Sequence, residues 1–349
     1  MIKKICIDWG NTLCKVSGEY SGPMVEWPEI NLLPGVHDAL SKLQKRCELF
    51  IATNAKDSTQ EQIDAVMERV ECSKYFHHIY TPREIGFGKE SVEYYQVIAR
   101  DLGCLPDEIL MVGDDYNLDI RNAWEAGFQT AWFNPLREMC PSMYLPLHQY
   151  EVLSWAELVE HLEVPRPTLQ MAFSWLQKER ATFVLLQHIQ SVSAIAYWFA
   201  THLRQSGEAM DAILVHRAAF LHDLDKLSPN RAADQHGFRG AEILEEKGYP
   251  QLAEIVRSHV ITLPDKLDLP SEAAELVLLA DKMVKKNRIV TIEERYDDLE
   301  ERYPENKKFR STVEPFLLEM KANVCRKIGI DPDDFLDQIK SDLMGRLGN

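Results

Sequence analysis

The sequence predicts an α/β domain built on a parallel sheet, followed by an all-α domain. In the first half, short β-rich apolar runs alternate with helical patterns, which is typical of a parallel sheet covered on both faces. In the second half the β-rich runs stop and amphipathic helical patterns take over. Between them, Val164-Pro165-Arg166-Pro167-Thr168 carries two prolines and suits a linker. We expect domains at 1–162 and 170–349, a linker at 163–169, and a helical extension at the C-terminal end.

The elements can be assigned in order along the chain. Strands are predicted at Ile2–Asp8, Leu49–Thr53, His78–Thr81, Ile109–Gly113 and Thr130–Phe133. The helices between them are predicted at Gly35–Arg46, Thr59–Arg69, Ser91–Leu102 and Asp119–Ala126. The second domain is predicted to contain helices at Leu185–Leu203, Met210–Leu221, His236–Lys247 and Tyr249–Val260, with a charged helical stretch at Thr291–Gly348.

Length and composition exclude several classes of protein. The chain has 349 residues, 45% hydrophobic and 27% charged, which is enough for two domains with separate cores. No apolar run approaches the roughly 18 residues that span a bilayer, and the N-terminus does not resemble a signal peptide. Seven scattered cysteines without a CxxC pair indicate reduced thiols in a cytoplasmic protein. The net charge of −16 disfavours long nucleic acids as partners.

Polar residues collect at the predicted carboxyl ends of the strands, where open α/β sheets bind ligands. The first strand ends in Asp8-Trp9-Gly10-Asn11-Thr12, the second in Thr53-Asn54, and the fourth in Gly113-Asp114-Asp115-Tyr116-Asn117-Leu118-Asp119. Lys89 lies in a loop ahead of a helix. Clustered carboxylates hold Mg²⁺, and a carboxylate can attack phosphorus. These residues therefore predict phosphoryl chemistry.

In this order and spacing, the motifs resemble the haloacid dehalogenase (HAD) superfamily over about residues 1–162. The resemblance implies a Rossmann-like core, and the short segments between motifs leave no room for a cap domain. It implies that Asp8 is the nucleophile and that Thr53 and Lys89 hold the phosphate. The implied Mg²⁺ site comprises Asp8, the backbone carbonyl of Gly10, Asp114 and Asp119, with Asp115 assisting.

Gly10 departs from the family's pattern. HAD phosphatases usually carry a second aspartate two residues after the nucleophile, which acts as general acid and base, and glycine stands there in this chain. General acid–base catalysis contributes about 10²–10⁴-fold. We therefore expect this half to be a slow or degenerate Mg²⁺-dependent phosphatase, or a module that binds phosphate and Mg²⁺.

The second half places imidazoles and carboxylates within apolar helical patterns. They are His188, the pair His222-Asp223, His236, His259 and Asp281. A buried imidazole or carboxylate is costly unless it is paired or bound to a metal. Together the two groups suit divalent transition metals, so the pattern predicts a metal site between helices.

The order H…HD…D resembles the HD phosphohydrolase superfamily over about residues 170–290. The resemblance implies that Asp223 bridges two metals, one also held by His188, His222 and Asp281, the other by His236 and His259. It implies one or two ions of Fe, Mn, Co, Ni or Zn, which activate the attacking water.

Two positions near the HD pair bear on the reaction. Lys226 matches the lysine that often follows the pair, and it would stabilise charge on phosphate oxygens. The common family form is His-Asp-Ile-Gly-Lys, whereas Asp225 takes the glycine position here. A role for Asp225 in substrate choice is one interpretation.

We therefore predict a cytoplasmic metal-dependent phosphohydrolase whose HD site is the main catalytic centre. The expected substrate is a nucleotide or other small phosphate ester, and the ligand pattern also resembles HD enzymes that split diadenosine polyphosphates.

Two alternatives remain. The first is a non-catalytic sensor or scaffold, which Gly10 favours and the complete HD ligand set opposes. The second is RNA 3′-end processing, which the acidic charge opposes. No membrane partner is expected, and an oligomer is allowed. The stretch Thr291–Asn349 carries no motif; of an extra packing layer and an oligomer contact, we favour the packing layer.

Overall fold

The computed structural model describes residues 2–16, 18–229, 236–261, 269–304 and 307–344. The chain divides into two compact units. The first comprises Met1–Glu138 and Leu147–Val164, and the second comprises Met139–Pro146 and Pro165–Asn349. The segment 139–146, which the sequence prediction assigned to the first domain, thus packs with the second unit. A fully buried guanidinium helps to hold it, because Arg217 donates to the carbonyl oxygen of Pro146 at 3.0 Å.

The first unit contains a six-stranded parallel sheet with the strand order 3-2-1-4-5-6. The strands are β1 Lys4–Ile7, β2 Glu48–Ala52, β3 His78–Tyr80, β4 Ile109–Gly113, β5 Gln129–Phe133 and β6 Tyr150–Val152. The first five correspond to the predicted strands. The sixth was not predicted, because three residues with a glutamate in the middle form no apolar run. Its Glu151 is buried all the same and accepts a hydrogen bond from Asn134 of the same unit.

Helices cover both faces of this sheet. They are α1 Val36–Leu43, α2 Gln60–Arg69, α3 Pro82–Ile85, α4 Val92–Leu102, α5 Asn122–Glu125 and α6 Trp155–His161. On β1, Ile5 and Ile7 join one hydrophobic cluster, whereas Cys6 points into a second cluster on the other face. A strand buried on both faces is apolar throughout, which explains its sequence. In the described residues only short elements connect the strands, so the predicted capless parallel core is confirmed.

The second unit is helical, as predicted. Its helices are α7 Leu169–Lys178, α8 Phe183–Gln205, α9 Ala212–Leu221, α10 Phe238–Glu246, α11 Pro250–Ser258, α12 Glu272–Asp281, α13 Ile292–Arg302, α14 Lys307–Ile328 and α15 Phe335–Met344. A small antiparallel hairpin, β7 Val284–Lys285 and β8 Arg288–Ile289, follows α12 and was not predicted.

Helix α8 is the central helix of this unit. By length and composition alone it could cross a membrane, but 72% of its most apolar stretch is buried inside the protein. The C-terminal helix covers part of it: Trp198 donates its indole N–H to Asp342 at 2.8 Å, and Phe199 stacks on Phe335 with ring centroids 5.4 Å apart. The burial of α8 thus comes from packing within the unit.

Two candidate metal centres

Three carboxylates meet at the carboxyl edge of the parallel sheet. Asp8 directly follows β1, Asp114 directly follows β4, and Asp119 lies in a single π-helical turn, Tyr116–Arg121. One oxygen from each lies within 4.8 Å of the others. The adjacency of β1 and β4 in the sheet accounts for the first two positions, and the turn brings the third back over the sheet edge.

Lys89 is buried among these carboxylates. Its Nζ lies 2.5 Å from Asp8 Oδ1 and 2.7 Å from Asp119 Oδ1. Its backbone is fixed on both sides, since its N–H donates to Asn54 and its carbonyl accepts from Asn122. Burial alone would lower the pKa of the ammonium, but Asp119 and Asp8 together raise it above the ordinary value. The lysine therefore stays charged inside the protein.

One ammonium does not balance three carboxylates. Burial, followed by the charge of Asp8, raises the pKa of Asp114 to about 6. Burial is also the main cause that raises the pKa of Asp119 to about 8. Excess negative charge among hard oxygen ligands is the condition that a divalent cation such as Mg²⁺ relieves, so the residues present fit that ion.

The side chain of Asp119 packs directly against the backbone of Gly113. A Cβ atom at Gly113 would lie 2.2 Å from Asp119 Oδ2, closer than any real contact. The same Oδ2 accepts the backbone N–H of Asp115 at 3.2 Å. A side chain at position 113 would therefore displace the carboxylate.

Replacing Gly113 with alanine is expected to weaken Mg²⁺ binding at this site by at least tenfold, roughly the effect of disturbing a ligand's support. The measurement is the thermal unfolding midpoint as a function of Mg²⁺ concentration. It is made in an Asp223→Ala background so that metal binding to the histidines of the second domain does not contribute. Gly18→Ala is the matched control, because a Cβ there meets nothing within 4 Å. An unchanged Mg²⁺ response in Gly113→Ala would contradict the close packing.

The structure separates Asp115 from the other carboxylates. The side chain is exposed, and its Oδ1 accepts the backbone N–H groups of Asn117 and Leu118, each at 2.9 Å. It therefore caps the start of the π-helical turn. Asp115 is not among the three carboxylates whose oxygens come together, and its assisting role at the metal stays a prediction.

Two further predicted residues lie at the same edge. Thr53 directly follows β2, is 4% exposed, and accepts the N–H of Ala55 on its hydroxyl at 3.3 Å. Gly10 lies two residues after Asp8 and pairs with Cys14 in a short bridge. The phosphate-binding role of Thr53 and the Mg²⁺ role of the Gly10 carbonyl stay predictions.

The helical unit brings all six predicted histidines and aspartates into one buried cluster. Five of them are at most 7% exposed, and His236 is partly exposed. Two of these residues, His188 and Asp281, lie within α8 and α12. The others lie beside helix ends: His222 and Asp223 directly follow α9, His259 follows α11, and His236 lies just before α10. They form two donor groups: His188, His222 and Asp281 in the first, and Asp223, His236 and His259 in the second.

Asp223 stands between the two donor groups and presents one oxygen to each. Its Oδ2 lies 3.4 Å from His222 Nε2 and 3.7 Å from His188 Nε2. Its Oδ1 lies 3.1 Å from His236 Nε2 and 3.8 Å from His259 Nε2. The arrangement is that of a carboxylate able to bridge two cations.

The outer nitrogen of each imidazole is committed to an acceptor. The Nδ1 atoms of His188, His222 and His259 lie 2.9, 2.7 and 2.5 Å from backbone carbonyl oxygens. The Nδ1 of His236 lies 2.8 Å from Asp225 Oδ1. An acceptor at Nδ1 keeps a proton on that nitrogen, so Nε2 is the nitrogen that each imidazole directs into the cluster and would offer to a metal.

Asp225 therefore acts on the histidine rather than on a substrate. It is fully buried, and its second oxygen accepts the backbone N–H groups of Gly237 at 2.8 Å and Gly240 at 3.0 Å. Burial would raise the pKa of its carboxyl, but the hydrogen bond from His236 and those from the glycines hold it below the usual value. Sequence reasoning missed this contact, although the departure from glycine at this position was its signal.

The residues present fit a transition metal. His222 Nε2 is buried and satisfies no hydrogen bond in the described part of the chain, although it faces two carboxylates. Burial would lower the pKa of His222, but Asp223 and Asp281 raise it to about 10. Burial and the nearby His222 lower the pKa of His259 to about 3. The four imidazoles and two carboxylates of the two donor groups are the donor types that divalent transition metals prefer.

Two lysines flank this cluster. Lys226 Nζ lies 2.5 Å from Asp223 Oδ2, and Lys282 Nζ lies 2.6 Å from Asp281 Oδ2. The first was predicted from its place after the HD pair. The second was missed, since a lysine that ends a helix has an ordinary explanation in the helix dipole.

Two known families match separate parts of the chain. The family described as haloacid dehalogenase-like hydrolase matches residues 5–127, and the HD domain family matches residues 185–297. The chain therefore consists of an N-terminal haloacid dehalogenase-like hydrolase domain followed by a C-terminal HD domain. The predicted pair of families is confirmed.

The similar curated proteins align with the first domain. The HAD-hydrolase YfnB of Bacillus subtilis is 29% identical over 137 residues, which are 38% of this chain and 55% of that protein. The pyrimidine 5′-nucleotidase PynA of Streptococcus pneumoniae is 29% identical, covering 38% and 54%. An uncharacterized protein of Methanocaldococcus jannaschii is 30% identical, covering 35% and 79%. The chain spans about half the length of the first two relatives.

Solved structures resemble the same part of the chain. A protein of Listeria monocytogenes matches with a TM-score of 0.42 and 24% identity, covering 46% of this chain and 97% of that one. The magnesium-bound structure of YfnB matches with a TM-score of 0.38 and 16% identity, covering 47% and 99%. At these scores the fold assignment rests on the sheet topology and the family match.

Proposed function

We propose that this protein is a cytoplasmic metal-dependent phosphoric ester hydrolase whose main catalytic centre is the cluster around Asp223. The observation that carries this proposal is one buried carboxylate with its two oxygens facing separate donor groups. The proposed ligands are His188, His222 and Asp281 on one side, His236 and His259 on the other, and Asp223 on both. Fe, Mn, Co, Ni or Zn bound there would polarise a phosphate ester and lower the pKa of water.

The side chains themselves prepare the site in two ways. Hydrogen bonds at every Nδ1 orient the imidazoles, so little reorganisation is needed when a substrate arrives. The ammonium of Lys226 lies beside Asp223, and its side chain is 44% exposed. It can therefore contact the phosphate oxygens of a substrate that enters from solvent. We assign to it the stabilisation of the charge that develops on the phosphoryl oxygens.

The first domain is proposed as a slow or degenerate Mg²⁺-dependent phosphatase. Asp8 is the proposed nucleophile, which would attack phosphorus and form an aspartyl phosphate while the alcohol leaves; water would then attack the aspartyl phosphate, releasing inorganic phosphate and restoring the carboxylate. Lys89 and Thr53 would hold the phosphate, and Asp114 and Asp119 would hold Mg²⁺. The alcohol must take its proton from solvent, because Gly10 offers no side chain for that step.

The substrate is proposed to be a nucleotide or another small phosphate ester. Two of the relatives of the first domain, from Streptococcus pneumoniae and Escherichia coli, are named pyrimidine 5′-nucleotidases. The net charge of −16 supports a small substrate over a long nucleic acid. Free cysteines throughout the chain support a reducing location.

A phosphate-release screen over nucleotides and sugar phosphates, with Mg²⁺, Mn²⁺, Co²⁺, Ni²⁺ and Zn²⁺ in turn, tests this function. Wild type is compared with Asp8→Asn and Asp223→Ala. Loss of release in Asp223→Ala alone supports the HD centre as the main one. Loss in Asp8→Asn alone would overturn that ranking, and release by no combination would favour a non-catalytic phosphate sensor, the alternative to which Gly10 points.

Asp225→Asn is expected to weaken binding of the second metal by about 10–100-fold, the usual effect of losing an outer hydrogen-bond partner of a metal ligand. The first metal should bind as before, since His188 and His222 do not contact Asp225. Calorimetric titration with Mn²⁺ separates the two events. Asp342→Asn, which alters a carboxylate on α15 outside the cluster, serves as the control. Equal weakening of both metals would contradict a role confined to His236.

A further inference from the structure

A cleft of about 250 Å³ lies beside the HD cluster. One side is formed by cluster residues, including Asp223 and Asp281, together with Lys226 and Lys282. The opposite wall comes from α13 and the start of α14, which belong to the charged stretch that carries no sequence motif. The C-terminal helices are therefore more than a packing layer, because they shape the space that a substrate would enter.

This wall contains two buried donors that have no hydrogen-bond partner among the described residues. Tyr296 is 3% exposed, and its hydroxyl makes no hydrogen bond to any residue that the structure describes. The Nε of its neighbour Arg295 is also buried and unsatisfied there, although the same guanidinium donates through another nitrogen to Asp298 at 3.3 Å. Buried donors without acceptors cost free energy, so two of them side by side in a cleft require an explanation.

The nearby Arg310 provides a contrast. It lines the same cleft, but its guanidinium is engaged by three carboxylates, those of Asp297, Glu300 and Glu314. Its charge is therefore largely offset within the protein. Tyr296, by comparison, lines the cleft together with Asp281, a proposed metal ligand. The unused donor capacity therefore lies in the same cleft as the Asp223 cluster.

We propose that Tyr296 and Arg295 bind the leaving group of the substrate held at the HD site. The ligand class is a compact phosphate ester whose leaving group carries hydrogen-bond acceptors, such as the hydroxyls and ring nitrogens of a nucleoside. Leu299 and Phe309 supply apolar surface in the same wall for a flat ring. This inference rests on the proposed function, because it takes the phosphoryl group to be bound at the Asp223 cluster.

The test compares two non-hydrolysable probes on the full-length chain loaded with Mn²⁺. Methylphosphonate reports binding of the phosphoryl group alone, and the methylenephosphonate analogue of AMP adds a nucleoside. Wild type should bind the nucleoside probe about tenfold more tightly, since one hydrogen bond contributes up to about that factor. Tyr296→Phe and Arg295→Lys should each lose most of this preference and bind methylphosphonate as wild type does.

Two controls separate a binding role from a structural one. Tyr249→Phe changes a tyrosine that packs on Trp175 and does not line the cleft, so it should keep the preference. Tyr296→Phe should unfold at the same temperature as wild type or higher, because the hydroxyl it removes makes no hydrogen bond within the residues that the structure describes.

Equal affinity of wild type for the two probes, or an unchanged preference in both cleft variants, would overturn the inference while leaving the proposed function intact. Failure of Mn²⁺-loaded wild type to bind methylphosphonate at all would instead remove the proposed function, and with it this inference.

Discussion

Replacing Asp223 with alanine is expected to abolish metal-dependent phosphate release by the HD domain. The variant removes the one carboxylate that faces both donor groups, so the loss should exceed the about 10–100-fold that follows removal of an outer partner. Metal content should also fall, because each donor group loses one oxygen of Asp223, beside His222 in the first group and beside His236 in the second. Phosphate release and metal analysis on the same preparation measure both effects.

The matched control for Asp223→Ala is again Asp342→Asn, which should retain full release and metal content. Asp223→Asn adds a second comparison, since it keeps the size of the side chain but cannot carry the negative charge that two cations share. If Asp223→Asn kept both metals and wild-type activity, the carboxylate would not be the bridge. A thermal unfolding midpoint for each variant shows that the loss does not come from unfolding.

Gly10→Asp is expected to raise phosphate release by the first domain by about 10²–10⁴-fold, the usual contribution of a positioned general acid and base. The other parts of that site are in place, with Lys89 on Asp8 and Asp119 and the three carboxylates together. A Cβ at position 10 would meet the Cγ2 of Val16 at 3.0 Å. Because the Val16 side chain is 43% exposed, it can move aside.

Gly10→Ala is the control, since it adds the same Cβ without the carboxylate. Both variants are measured in the Asp223→Ala background, with Mg²⁺ and a panel of small phosphate esters. The gain in Gly10→Asp should vanish when Asp8→Asn is added, which shows that the new acid works with the proposed nucleophile. If Gly10→Asp released phosphate no faster than Gly10→Ala, a missing acid would not be what limits this domain.

Much of the first site could be predicted from sequence because parallel strands end at one edge of a sheet. Asp8, Thr53 and Asp114 follow adjacent strands, so their proximity follows from the strand order alone. The strand order could not distinguish Asp115 from Asp114 in that way. Two neighbouring carboxylates look equivalent in a sequence, and only the local backbone decides that one caps a turn while the other faces the cluster.

In the helical domain the sequence indicated the ligands but not their supports. Asp225 was recognisable as a departure from the family pattern, yet its contact with His236 depends on how the chain returns before α10. Tyr296 and Arg295 lie in a charged stretch without a motif, for which the sequence predicted only an extra packing layer. Their burial comes from tertiary packing against the cluster, which no local pattern encodes.

Anomalous X-ray scattering from crystals of the Mn²⁺-loaded protein tests the central claim most directly. The account predicts two metal peaks in the HD domain, one next to each oxygen of Asp223, with the Nε2 atoms of His188 and His222 on one peak and those of His236 and His259 on the other. A single peak that left one donor group empty, or metal bound away from Asp223, would contradict it.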